Sequence, residues 1–142
     1  MAIATTGMTP LLQVYDMPEA LAFYRDVLGF EVVSASPEVD APEGRFSHWM
    51  RLRLGPADVM LNTAYDEGER PPARDKTQQR WHGDICLYFG AADIDAVYEA
   101  LQPKIAGLKP PKNVPYGMRQ LYLKDPDGYG LCFQAAVKGA KE

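Results

Sequence analysis

The same order of elements is written twice in this chain, and that duplication constrains the fold more than any other feature. In the first pass, residues 9–14, TPLLQV, read as a short strand. Asp16 then stands where a helix N-cap belongs, with Pro18 in the first turn and Glu19 at the positive helix end. The stretch EALAFYRDVLG places Leu21, Tyr24 and Leu28 on one stripe, with Ala20 and Val27 beside it, and Gly29 closes the helix. FEVVSA reads as a strand. In RFSHWMRLRL, Leu52 and Leu54 alternate with Arg51 and Arg53; GPAD is a turn; VMLNTA sets Val59 and Leu61 opposite Met60 and Asn62. The second pass begins with DICLYF. Asp93 caps IDAVYEAL, whose Ile94, Val97, Tyr98 and Leu101 share one face. PKIAGLKPPKNVPYG is rich in Pro and Gly, so a strand there is short or at an edge. MRQLYLK alternates, DPDG is a turn signal, and YGLCFQA is the closing strand.

Strand–helix–strand alternation alone would also suit a doubly wound parallel sheet. Three strands after each helix, with joins short enough for hairpins, point instead to an α+β fold of two β-α-β-β-β modules with mixed pairing. The chain of 142 residues then reads as a single domain over 1–142, with module one at about 8–64 and module two at about 84–136. Between them, YDEGERPPARDKTQQRWHG at about 65–83 breaks all periodicity. It has the length and charge of a linker, a dimer arm or a lid.

Composition excludes several classes. A net charge of −4 with no clustered excess of Lys and Arg argues against a nucleic-acid binder. No stretch approaches the ~18 apolar residues of a membrane span. The N-terminus, MAIATTGMTP, lacks the basic start and apolar run of a signal peptide. Two cysteines, Cys86 and Cys132, are too few for a disulfide framework and lie in apolar strand-like runs, as small buried residues do. Together these set the cytoplasm as the expected location.

LLQVYDMPEALAFYRDVLGFEVV at the start and LYLKDPDGYGLCFQ at the end resemble the vicinal oxygen chelate superfamily, the glyoxalase, bleomycin-resistance and dioxygenase families. The resemblance covers nearly the whole chain. It implies an open, curved eight-stranded mixed sheet around a central cavity, with helices on the convex faces. Leu12, Val14, Leu52, Leu54, Val59, Leu61, Ile85, Leu87, Phe89, Leu121, Leu123, Leu131 and Phe133 are then expected to pack on helices. Their alternates, including Leu11, Gln13, Cys86, Gln120 and Gln134, are expected to face the cavity. It also implies a homodimer, since members of this fold commonly complete their pockets between subunits. It says little of function, because this fold hosts lyases, thiol transferases, ring-opening dioxygenases and passive antibiotic-binding proteins.

Metal-dependent members carry His, Glu or Gln at four strand positions. By the resemblance these fall at Thr9, Asn62, Asp84 and Cys132. Only Asp84 is a carboxylate, Cys132 would need to lose its proton, and neither histidine, His48 or His82, falls on a ligand position. A divalent metal is therefore disfavoured, and no cofactor is expected. What remains is a pocket whose candidate ligand-binding residues are Trp49, Arg51, Met60, Asn62, Asp84, Tyr88, Tyr122 and Cys132 by face, and Trp81 and Tyr116 by loop position. Flat rings offer stacking surface to planar ligands, and Arg51 a forked donor for a carboxylate or phosphate. The expected function is metal-free binding of a small planar aromatic or antibiotic-like molecule. The alternatives are a lyase, isomerase or dioxygenase with an atypical metal site, and a non-catalytic dimeric accessory domain.

Overall fold

The computed structural model describes residues 2–137. They divide into two compact units, the first running to Pro72 and the second starting at Ala73.

The first unit opens with strand β1 (Leu11–Val14) and helix α1 (Met17–Leu21). The Asp16 carboxylate caps α1 by accepting from the Glu19 amide at 3.1 Å. The helix does not run on as an α-helix to Gly29. Residues Ala22–Val27 widen into a π-helical turn, with the Leu28 amide donating back to the Phe23 carbonyl at 3.0 Å. Within this widened turn Tyr24 packs edge-to-face on Phe30 at 5.5 Å, both fully buried. Strands β2 (Glu31–Ala35), β3 (Glu38–Ala41), β4 (Gly44–Ser47), β5 (Trp49–Leu54) and β6 (Ala57–Thr63) follow. The expected single strand from Arg45 to Leu54 is broken at His48. Its first part pairs with β3 as a separate two-stranded hairpin, an insertion the periodicity did not reveal.

The second unit contains α2 (Lys76–His82), β7 (Cys86–Gly90), α3 (Ile94–Leu101), β8 (Lys112–Val114), β9 (Met118–Lys124) and β10 (Gly130–Ala136). Helix α2 lies inside the stretch read from sequence as a loop. It has no apolar stripe and no buried residue, and it is held by hydrogen bonds from Gln79 and His82. Asp93 caps α3 as expected, accepting from the Ala96 amide at 3.0 Å.

The duplication is visible in the strand order. The sheets are β1-β6-β5-β2 and β7-β10-β9-β8, so in each the first strand pairs with the last and the second strand forms an edge. In each, the first and last strands are parallel and the remaining pairs antiparallel. Such a mixed sheet follows when a helical crossover joins the first two strands and hairpins join the rest. Both sheets are open, and the architecture is α+β.

One face of each sheet is the core. Leu12, Val14, Leu52, Val59 and Leu61 are buried in the first unit; Phe89, Leu121, Leu123, Leu131 and Phe133 are buried in the second. Ile85 departs from its expected place. It precedes β7 and is 46% exposed, and its carbonyl accepts from the Gly130 amide. Leu54 and Leu87, expected on the same face, are only half-buried, and Gln120 and Cys132, expected on the opposite face, are buried.

Candidate functional site

The face of each sheet opposite its core carries the polar and aromatic residues. In the first unit they form rows across three strands. Gln13, Asn62 and Trp49 stand in one register row, and Leu11, Met60 and Arg51 in the next. Asp58 and Arg53 are register partners one row further on. Asn62 donates to Gln13 Oε1 at 3.3 Å and to the Thr63 carbonyl at 3.2 Å. Trp49 is half-buried, its backbone tied to Ser36.

Arg51 is bound by a residue the sequence reading left out. Its Nε donates to Asp58 Oδ2 at 2.7 Å and its Nη2 to Thr9 Oγ1 at 3.1 Å. Arg53 grips the same carboxylate, Nε to Oδ1 at 2.7 Å and Nη2 to Oδ2 at 3.0 Å. These hydrogen bonds, Arg53 first, hold the Asp58 carboxyl down at about 2. Parity was the available signal, since Asp58 shares the face of Met60 and Asn62; the GPAD turn concealed it.

In the second unit the central row is Tyr88, Cys132 and Tyr122. The two phenol oxygens are 2.8 Å apart, and the rings meet edge-to-face with centroids 6.2 Å apart. Tyr88 is 52% and Tyr122 45% exposed, while Cys132 in the middle is fully buried. The Tyr122 phenol is driven far above its ordinary range by the Tyr88 hydrogen bond, then by desolvation, then by Cys132. Burial pushes the Cys132 and Cys86 thiols up, so neither is readily ionised. In the neighbouring row, buried Gln120 donates from Nε2 to Tyr116 Oη and to Gln134 Oε1, both at 3.0 Å. Tyr116 thus stands exposed at the edge of this face, fixed by its hydroxyl. Trp81 projects from α2 and is largely exposed; Asp84 is exposed in the turn after α2, its amide bonded to the Trp81 carbonyl.

Both histidines have local work. His48 Nδ1 meets Thr63 Oγ1, and its Nε2 lies 3.0 Å from Glu67, tying the segment after β6 to the start of β5. His82 stacks on Tyr129 with centroids 4.1 Å apart and donates from Nδ1 to the Asp127 carbonyl at 2.7 Å. The Tyr129 hydroxyl lies 3.3 Å from His82 Nε2. Helix α2 is thereby clamped to the DPDG turn, with Gln79 Nε2 donating to the Pro126 carbonyl at 3.1 Å.

The residues at the family's metal positions do not fit a divalent ion. Thr9 Oγ1 is engaged by Arg51, and Asn62 by Gln13. Asp84 lies outside the strand, and the Cys132 thiol holds its proton. Among the described residues no cluster of three or more His, Cys, Asp or Glu is placed to bind a metal.

The chain is similar to known structures over almost its entire length. TnmS3, an antibiotic binding protein from Streptomyces sp. CB03234, is 28% identical with a TM-score of 0.64, the match covering 96% of this chain and 99% of that one. A glyoxalase/bleomycin resistance protein from the same strain is 27% identical with a TM-score of 0.58, covering 89% and 97%. The bleomycin-binding protein of bleomycin-producing Streptomyces verticillus, complexed with copper(II)-bleomycin, is 19% identical with a TM-score of 0.67, covering 95% and 99%; at that identity it speaks for the fold alone. No curated protein matches the chain. A sequence profile of one family matches residues 5–133, and the chain belongs to that family, the glyoxalase/bleomycin resistance protein/dioxygenase superfamily.

Proposed function

We propose that this protein binds a small planar aromatic or antibiotic-like molecule without metal and without turning it over. The observation that carries the reading is the Tyr88–Tyr122 pair. Two half-exposed rings, locked at right angles by their own hydroxyls, offer a rigid apolar surface with a polar rim. An isolated protein gains nothing by exposing two aromatic rings on an open sheet face, whereas a planar ligand stacked there gains about 0.5–1.5 kcal/mol per ring beyond burial. Trp49, Met60 and Asn62 on the first sheet, and Tyr116 and Trp81 at the margins of the second, are further contact candidates. The similarity to an antibiotic binding protein at 28% identity supports the same reading. Catalysis through a metal-bound carboxylate is disfavoured by the donor set at Thr9, Asn62, Asp84 and Cys132. Among the described residues no helix is long and apolar enough to cross a membrane, and a cytoplasmic homodimer is the assembly we propose.

The test is a thermal-shift and fluorescence titration against bleomycin and a panel of planar polyaromatic antibiotics, with the recovered compound analysed for change. Binding predicts a rise in Tm that grows with ligand concentration. It also predicts one site per chain or per dimer, weakening in Tyr122→Phe and more in Tyr122→Ala, with the compound recovered intact. Turnover of any panel member, or no shift across the panel, would overturn the reading. Light scattering after size exclusion tests the dimer.

A further inference from the structure

We infer that Arg51 and Arg53, braced by Asp58, form an oxyanion subsite on the first unit. The molecule it receives carries a carboxylate or a phosphate.

The residues bound an open recess of about 410 Å³ between the segment 6–9 and the guanidiniums of β5. Three features give it the chemistry of an anion site. The two guanidiniums share one carboxylate, so one positive charge of the cluster is not neutralised within it. Each spends its Nε and Nη2 on Asp58 or Thr9, and among the described residues nothing takes the Nη1 of either. The backbone amides of Gly7 and Met8, in the segment that lines the recess, likewise have no partner among the described residues. Two fixed guanidiniums sharing a recess with free amides suit a planar or tetrahedral oxyanion, and the bracing carboxylate holds both forks in place before a ligand arrives.

The bracing also makes the site selective for a real ligand rather than any anion. Asp58, with a side chain only 11% exposed, repels a weak intruder from the same recess. An anion that binds must therefore make directed hydrogen bonds to the two Nη1 groups. As a statement about the ligand's chemistry, this inference rests on the binding function proposed above. As an oxyanion site it is tested without that ligand.

Amide and arginine side-chain NMR would be followed while inorganic phosphate, and separately acetate, is titrated at constant ionic strength against chloride. The expected result is saturable shifts at Thr6, Gly7, Met8, Thr9 and the two Arg Nε signals. Half-saturation is expected on the order of 10 mM, the strength a few solvent-facing charge-assisted bonds supply. Arg53→Gln weakens binding at least ~5-fold. The better of phosphate and acetate names the ligand's acidic group. Linear shifts, equal shifts with chloride, or an unchanged titration in Arg53→Gln would overturn the subsite and leave the cluster an ion pair that closes the β5–β6 hairpin. Antibiotic binding with no phosphate response overturns the subsite alone. Phosphate response with no antibiotic binding overturns the aromatic reading alone.

Discussion

Replacing Gly128 with alanine brings a Cβ to 2.4 Å from the Gln79 carbonyl oxygen, 3.0 Å from Gln79 Cγ and 3.3 Å from the Gln79 carbonyl carbon. The clash is with helix backbone, so no rotamer change relieves it, and α2 must move off the DPDG turn by most of an ångström. Two costs add. Gly128 has φ of +90°, where a side chain costs about 1–2 kcal/mol. Moving α2 also stretches the Gln79–Pro126 and His82–Asp127 hydrogen bonds, each worth about 0.5–1.5 kcal/mol, and slides His82 off Tyr129. The sum is roughly 3–4 kcal/mol, or ~10 °C in Tm. Gly107 supplies the control in the same unit. Its φ is +74°, and a Cβ there meets nothing within 4 Å, so Gly107→Ala bears the conformational cost alone, about 1–2 kcal/mol. Urea unfolding of both variants, with hydrogen exchange at the Gln79 and Gly83 amides, separates the terms. Gly128→Ala is expected to be less stable than Gly107→Ala by about 2 kcal/mol, with loss of protection confined first to α2. Equal destabilisation, or unchanged protection of α2, would refute the clamp as an energetic feature.

Three further outcomes follow from named bonds. Ultraviolet titration finds the Tyr122 phenol still protonated where ordinary tyrosines ionise, and Tyr88→Phe lowers its pKa by removing the first cause of the shift. Because the folded-state value is raised, that contribution to stability is full below about pH 10 and is lost as pH rises further. Asp58 has the opposite sign. Its carboxyl, held at about 2, contributes fully above about pH 4 and is lost as pH falls through about 2, which carboxyl ¹³C titration would read directly. Finally, Asp93→Ala costs about 1 kcal/mol as a lost N-cap. Asp16→Ala costs more in thermal unfolding, since Asp16 both caps α1 and meets Arg70 at 3.3 Å.

The parts of the fold legible in sequence are those governed by one-dimensional rules. Asp16 and Asp93 cap helices because a carboxylate before a helix meets free amides, wherever the chain goes next. Leu52, Val59, Leu121 and Leu131 face the cores because parity fixes their side. What escaped depends on contacts distant in sequence. The π-helical turn after α1 has no periodic signature. Helix α2 is held by carbonyls of the DPDG turn, which a hydrophobicity pattern cannot register. The β3–β4 hairpin turns on a break at His48, whose ring is occupied by Thr63 and Glu67 further along the chain.

The candidate site divides along the same line. Trp49, Arg51, Met60 and Asn62 on one sheet, and Tyr88, Cys132 and Tyr122 on the other, share the faces that alternation assigned them. Alternation says nothing of which row members touch, and chemistry depends on that. Tyr88 and Tyr122 are 34 residues apart, and only the pairing of both strands with β10 brings their hydroxyls to 2.8 Å. Cys132 shares their row yet is fully buried, while the two rings are half-exposed. Arg51 was read as a free fork for a ligand acid, whereas half of that fork is held by Asp58 and Thr9. That loss is also a gain. A guanidinium tethered on one edge surrenders little rotamer freedom when its other edge binds, so the braced pair is a better anion receptor than a free arginine of the same charge.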